Sequence, residues 1–172
     1  MLRLLALAGL AAALYGVGSL GSEAVPLRAD VSRTALTSLG QEYDELQQWA
    51  AAIAATTDTM PPGSGEAARA LAAQLARLMQ PLEEDFENTT AALSTAQLEL
   101  VLPLWERMAF AHAGFVMLQE EAAALGGDPL LEPIELHELA TELSAVLEFA
   151  VELQRQILDQ LTTPAPTTIR IS

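Results

Sequence analysis

The chain has two histidines, His112 and His137, and histidine is the residue type whose ordinary pKa suits acid–base chemistry and metal binding near neutral pH. Met108 precedes His112 by four residues, about one helical turn, so the two side chains share one face of a helix. Copper accepts thioether and imidazole ligands. Met108 and His112 are therefore the candidate metal ligands. The competing interpretation is a core histidine hydrogen-bonded to a neighbouring helix beside a gap-filling methionine.

A haem held by both histidines of one subunit is excluded by their spacing. In an antiparallel hairpin that turns near Pro129, His137 lies opposite about residue 121, which separates the two imidazoles by roughly 13 Å along the axis. The absence of cysteine excludes c-type haem attachment. The Glu-x-x-His pair of carboxylate-bridged metal bundles is also missing, because Ala109 and Ile134 stand three residues before the histidines. No cofactor is predicted.

The sequence lacks the motifs of nucleophilic catalysis. It has no Gly-x-Ser-x-Gly turn and no glycine-rich phosphate loop, and Ser-x-x-Lys is ruled out because the chain contains no lysine. The carboxylates Glu135, Glu138 and Glu142 lie beside His137 at the spacing of a solvated helix face. The sequence therefore predicts a protein that is not an enzyme.

The composition is strongly acidic, with 23 Asp and Glu against 8 Arg and a net charge of −15. Such a charge repels the phosphates of nucleic acids and anionic lipid surfaces, so nucleic-acid binding is not expected. Without cysteine the chain has no disulfide, catalytic thiol or thiolate metal site. The composition is that of a solvated helical protein, whose acidic surface could also attract a basic partner.

The first residues have the parts of a secretory signal. Met1–Arg3 is a short positive region, Leu4–Leu20 is an uncharged apolar core, and the small residues Ser22 and Ala24 suit cleavage before Val25. An uncleaved membrane anchor is the competing interpretation, since 17 residues span roughly 26 Å as a helix, just short of a typical hydrocarbon core. The sequence predicts export to the periplasm or the extracellular space, or tethering to the membrane through residues 1–24.

Beyond residue 25 the apolar residues recur at alternating spacings of three and four, the period of a helix with one buried face. The predicted helices are Asp30–Thr57, a second through Leu71–Phe86, a third from Ser94 to Gly127 and a fourth that follows Pro133 and ends before Pro164. The predicted inner faces are Leu36, Leu39, Tyr43, Leu46, Ala50 and Ile53; Leu71, Leu75, Leu78, Leu82 and Phe86; Leu98, Val101, Trp105, Met108, His112 and Phe115; and Leu136, Leu139, Leu143, Val146, Ala150, Leu153 and Ile157.

Turn-forming residues separate these helices. Asp58–Gly63, with its paired prolines, ends the first helix, after which Ser64 can cap the second. Pro81 falls within the second stripe, so that this helix is either kinked there or restarted with Pro81 in its first turn. Glu87–Thr90 is the predicted turn before the third helix, and Gly126–Gly127 ends that helix. An uninterrupted run of the second and third helices is the alternative.

Ser94 and Gln97 have the spacing of a capping box at the start of the third helix. The segment Leu93-Ser94-Thr95-Ala96-Gln97 resembles the Leu-Thr-x-x-Gln signature of small all-helical periplasmic stress chaperones and metal-responsive proteins, with serine in place of threonine. The resemblance covers five residues, occurs once and implies a periplasmic helical protein. The metal-binding residues of that family have no counterparts here.

These patterns predict an all-α protein, an up-down-up-down four-helix bundle over residues 25–163, preceded by an apolar signal or anchor helix (1–24) and followed by a flexible tail (164–172). We expect a non-enzymatic interaction module, exported or membrane-tethered, that uses its helix faces to bind a protein partner or a second copy. The alternative function is a small periplasmic metal- or haem-binding bundle centred on Met108 and His112.

Overall fold

The computed structural model describes residues 25–162, and all its elements in this range are α-helices. The helices are α1 (Val25–Asp58), α2 (Gly65–Met79), α3 (Pro81–Ala92), α4 (Thr95–Gly127) and α5 (Pro133–Thr162). The predicted signal or anchor segment (1–24) and the predicted tail (164–172) lie outside the described residues. None of the helices between residues 25 and 162 is both long enough and apolar enough to cross a membrane.

The five helices form four legs, because α2 and α3 meet end to end. Gln80, the single residue between them, has helical backbone angles of φ −55° and ψ −42°, and Pro81 occupies the first turn of α3. Proline lacks an N–H and its ring clashes with the preceding turn, whereas it fits the first turn of a new helix. Of the two predictions for Pro81, the restarted helix is therefore the observed one.

Contacts between helices give the direction of each leg. Antiparallel pairs are shown by His137 beside Ala54 and Gln154 beside Leu36 for α5 and α1, and by Gly126 beside Ala73 and His112 beside Phe86 for α4 and the second leg. Ser32 beside Gln97 and Tyr43 beside His112 show that α1 and α4 run parallel. The legs thus alternate in direction, and the predicted all-helical, four-leg architecture is confirmed for residues 25–162.

The apolar stripes meet in one core, and most predicted inner-face residues are buried there. Leu78 is an exception, because its side chain is exposed and Met79 takes the inner position instead. The buried residues of the second leg follow an unbroken four-three spacing that passes through position 79 and not 78. They are Ala68, Ala72, Leu75, Met79, Leu82, Phe86 and Thr89.

The predicted turn at Glu87–Thr90 is wrong, because these residues are helical and α3 continues to Ala92. The hydroxyls of Thr89 and Thr90 donate to the carbonyls four residues earlier, at 2.7 Å and 2.8 Å, which satisfies them without leaving the helix. The break comes instead at Leu93, whose ψ of 131° is extended. The alternative of one uninterrupted helix through this region is therefore also wrong.

Two caps were predicted, and they differ in outcome. Ser64 precedes α2 but its side chain makes no capping hydrogen bond. Ser94 and Gln97 form both bonds of a capping box, at 3.3 Å and 2.9 Å, as predicted. The Gln97 side chain also donates to the buried hydroxyl of Ser32 at 2.9 Å, which ties the start of α4 to α1. The residues that carry the five-residue resemblance thus have a structural role here.

Candidate functional site

His112 lies on the inner face of α4 with Met108 one turn before it, as the sequence predicts. Met108 is fully buried and the His112 side chain is 8% exposed. The Nδ1 atom of His112 lies 3.1 Å from the Tyr43 hydroxyl on α1, a hydrogen bond whose donor depends on the imidazole tautomer. The imidazole is therefore held by a neighbouring helix, the arrangement of a core histidine.

Aromatic rings surround this hydrogen bond and fill the centre of the bundle. The Phe86 ring of α3 stacks on the His112 imidazole at a centroid distance of 4.0 Å, and on its outer side Phe86 stacks with Trp105 at 5.4 Å. Phe115 lies 5.7 Å from His112 and meets Tyr43 edge-on at 6.4 Å. Rings of this size and proximity contribute dispersion and quadrupole energy beyond the burial of their area. The aromatic cluster thus joins three legs of the bundle.

Burial keeps both partners of the hydrogen bond neutral at neutral pH. It lowers the pKa of His112 from 6.5 to about 4, since the charged imidazolium would lose its hydration. Burial, together with the nearby charge of Glu42, raises the pKa of the Tyr43 phenol. Neither Tyr43 nor His112 lines any of five open clefts of about 260–390 Å³ on the described surface.

Few potential metal ligands surround Met108 and His112. Across residues 25–162, no group of three or more His, Cys, Asp or Glu side chains is placed to hold a metal ion. One nitrogen of His112 already bonds Tyr43, and Met117 lies on the outer face of α4 with 68% of its surface exposed. The metal assignment of Met108 and His112 stays a prediction.

His137 occupies a different level of the bundle. Its Nδ1 atom lies 2.9 Å from the carbonyl oxygen of Ala54, whereas His112 contacts Tyr43. These two contact points are eleven residues apart on α1, about 16 Å along the helix. One iron cannot reach both imidazoles in one subunit, in agreement with the separation deduced from the sequence.

A pair of carboxyl groups lies between α1 and α3. Burial, together with the neighbouring Asp85 carboxyl, raises the pKa of the Glu42 carboxyl, while a hydrogen bond from the Ser38 hydroxyl at 3.1 Å partly offsets the rise. The pair lines an open cleft that also includes Glu45 and Trp49. Two like charges so close favour sharing a proton. This pair is a local electrostatic cost in an acidic protein.

The outer face of α4 is uncharged through the middle of the helix. No Asp, Glu, Lys or Arg occurs in the twelve residues from Met108 to Gln119. The outward-facing residues Phe110, Gly114 and Met117 lie within this stretch. Phe110 is 80% exposed, and a side chain added at Gly114 would meet no atom within 4 Å. By contrast, α5 exposes five glutamates. They are Glu135, Glu138, Glu142, Glu148 and Glu152.

The residues of this face, which are exposed except for the half-buried Gly114, form a second stripe along α4. Their spacing alternates between three and four, like the buried stripe, but is offset from it by two residues. We call the set the outer stripe of α4. It comprises Leu100, Pro103, Arg107, Phe110, Gly114, Met117, Glu121 and Ala124. This stripe was not predicted from the sequence, although a second periodic series on the same helix is visible there.

Comparison with known proteins finds no family model, no curated protein and no solved structure that matches this chain. The outer stripe of α4 and the buried Tyr43–His112 pair are therefore interpreted from their own chemistry. The first is accessible and apolar, which suits binding. The second is enclosed and neutral, which suits stability.

Proposed function

We propose that this protein is a non-enzymatic interaction module, exported or membrane-tethered, that binds another polypeptide through the outer stripe of α4. The observation that carries the proposal is the exposed, uncharged surface around Phe110, Gly114 and Met117 on a chain of net charge −15. Phe110 and Met117 present two large apolar side chains to water about two turns apart on one face of α4, and exposed apolar surface concentrated on one face marks an interaction site.

The surroundings of Phe110 enlarge the apolar surface. Phe149 of α5 is 40% exposed and lies with Phe110 and Pro103 around a cleft of about 390 Å³. The guanidinium of Arg107 sits 5.2 Å from the centre of the Phe149 ring, an attractive cation–π arrangement. Exposed aromatic and arginine side chains at the centre of a patch are the residue types that dominate binding energy in protein interfaces.

Export is the second half of the proposal and is supported by the sequence. The positive start, the apolar run Leu4–Leu20 and the small residues before Val25 favour a signal or anchor, as argued above. With such an N-terminus, the bundle acts outside the cytoplasm. Its acidic helices keep it solvated, while the outer stripe of α4 provides the contact surface.

Photo-crosslinking in the protein's own host tests the proposal. Phe110 is replaced by p-benzoyl-phenylalanine, and the same replacement at the exposed acidic position Glu138 of α5 is the matched control. We expect a discrete polypeptide adduct from position 110 that is absent at position 138 and is lost when Met117→Glu is added on the same face. A folded, exported protein that yields no such adduct would overturn the proposal.

A further inference from the structure

We infer that the polypeptide bound by the outer stripe of α4 is a second copy of this chain, packed antiparallel about a two-fold axis at Gly114. The inference rests on the proposed function and names its partner. Gly114 lies midway between Arg107 and Glu121, and it has no side chain to project from the outer stripe of α4. Two helices can therefore approach closely at this point, since nothing but backbone separates them.

Charge complementarity selects this partner and this direction. Arg107 lies seven residues before Gly114 and Glu121 seven residues after it, about 10 Å on either side. A two-fold axis at Gly114 therefore places Arg107 of each copy beside Glu121 of the other copy. This gives two contacts between opposite charges. A parallel pair would place like charges together instead, which is unfavourable.

The apolar residues match under the same symmetry. Phe110 lies about 6 Å before Gly114 and Met117 about 4.5 Å after it, so the aromatic ring of one copy meets the thioether of the other. Contacts of sulfur with aromatic rings are favourable, and flexible methionine adapts to the ring. Farther out, Pro103 comes level with Ala124 of the second copy. Within the outer stripe, every layer from Pro103 to Ala124 is thus either apolar or oppositely charged, while the exposed carboxylate of Glu106 lies beside the stripe at the Phe110 cleft.

The length and the charge of the surface also agree with self-association. The outer stripe runs over 25 residues from Leu100 to Ala124, about 36 Å, or more than three heptads. Two chains of net charge −15 repel each other over most orientations. The stretch from Met108 to Gln119 has no Asp, Glu, Lys or Arg, so two copies that meet there face less repulsion than along the acidic face of α5.

Charge reversal measured by sedimentation equilibrium tests the inference on the protein as isolated from its host. We expect the wild type to be dimeric, and Arg107→Glu or Glu121→Arg alone to raise the dimer dissociation constant about tenfold or more. The double exchange should restore the dimer, since the opposite charges again face each other. Gly114→Phe should abolish it by placing a ring at the axis.

Matched controls make the same charge changes elsewhere. Arg77→Glu on α2 and Glu138→Arg on α5 are exposed and off the stripe, so we expect the wild-type dissociation constant. A wild type that is monomeric, or single reversals that the double exchange does not rescue, would overturn the inference. Crosslinks from position 110 to a different polypeptide would also overturn it while supporting the proposed function, and crosslinks to no polypeptide would defeat both.

Discussion

The Tyr43 hydroxyl and the His112 imidazole are joined by a 3.1 Å hydrogen bond between α1 and α4. The two helices are not sequential, and residues 69 positions apart meet here inside the aromatic cluster. Each group satisfies the other where water is excluded, which is the condition for burying polar atoms without penalty. The pair therefore aligns two parallel legs of the bundle, and its polar chemistry serves the fold.

We expect the stability of the protein to fall in mild acid through His112. The unfolded imidazole has its ordinary pKa of 6.5 and the folded one a pKa of about 4, so the unfolded state binds the proton more tightly. The contribution is complete above pH 6.5 and is lost as the pH falls towards 4, by about 3 kcal/mol in all. Denaturant unfolding of the wild type and of His112→Leu at several pH values measures the difference. Equal slopes in both proteins would contradict the assignment.

Removing one partner of the Tyr43–His112 hydrogen bond should lower the free energy of unfolding more than removing both. Tyr43→Phe leaves a buried imidazole nitrogen without its partner, which we expect to lower the free energy of unfolding by about 1–3 kcal/mol. His112→Leu in addition should recover most of that loss, since an apolar pair needs no hydrogen bond. Additive losses in this double-mutant cycle would show that the pair is not coupled.

His112→Leu also separates the interaction module from the metal- or haem-binding alternative. His112→Leu should leave the bundle folded and the crosslink from position 110 unchanged, because the outer stripe of α4 does not include His112. In the metal- or haem-binding alternative it should abolish retention of the cofactor. Metal analysis and crosslinking on the same preparation decide between them, and loss of the crosslink with an intact fold would count against the proposed function.

Gly40 should resist even alanine. A Cβ at this position would collide with the side-chain amide of Gln154, which is buried and donates to the Leu36 carbonyl at 2.8 Å. We expect Gly40→Ala to lose that hydrogen bond and lower the free energy of unfolding by about 1 kcal/mol, even after the helix-propensity gain of about 1 kcal/mol. In a Gln154→Ala background the same change should be stabilising, and a loss there would contradict the explanation.

The Glu42–Asp85 pair should weaken the protein at neutral pH. Burial and the Asp85 carboxyl raise the pKa of Glu42 above 4.5, so the folded state binds the proton more tightly than the unfolded state. The stability gained by protonation is present in acid and is lost as the pH rises through the raised pKa. We expect Asp85→Asn to stabilise the protein at pH 7 by a few tenths of a kcal/mol, since the pair is partly solvated. Asp44→Asn, on the exposed face of α1, is the control, and an equal gain there would contradict the account.

Replacing Phe110 should cost the fold almost nothing. The side chain is 80% exposed, so Phe110→Glu should change the unfolding free energy of the monomer by no more than about 0.5 kcal/mol. Truncation of the buried Phe115 to alanine should cost about 3–5 kcal/mol by comparison. Thermal unfolding of both variants measures the contrast, and a large loss from Phe110→Glu would mean that it supports the core instead of a partner.

Much of the fold could be predicted because apolar spacing reports directly on burial. The stripe of the first predicted helix and the capping box at Ser94 are where the sequence places them, and the stripe of the fourth differs at Val146, which is partly buried while Leu147 is fully buried. Thr89 and Thr90 misled the prediction because β-branched polar residues favour turns only when their hydroxyls lack a helical carbonyl to bond. Leu78 and Met79 are equally apolar, and the buried series Ala68, Ala72 and Leu75 on the same helix continues to Met79.

The candidate site was harder to predict for a physical reason. The buried and outer stripes of α4 have the same three-four period, so periodicity alone cannot say which of them faces the core. Both stripes carry large apolar side chains. Trp105 and Phe115 lie on the buried stripe, and Phe110 and Met117 lie on the outer stripe. Their burial depends on the legs packed against α4, which is tertiary information. The Tyr43–His112 bond is likewise invisible until α1 and α4 are placed side by side.

A native mass spectrum of the protein recovered gently from its own host's envelope decides whether two copies pair through the outer stripe of α4. We expect an assembly of two copies of the chain, which Phe110→Glu converts to a single folded chain and Glu138→Arg leaves intact. The same spectrum reports whether residues 1–24 are present. A bare single chain in the wild type at every concentration, or one carrying a stoichiometric metal or haem that His112→Leu removes, would contradict the account.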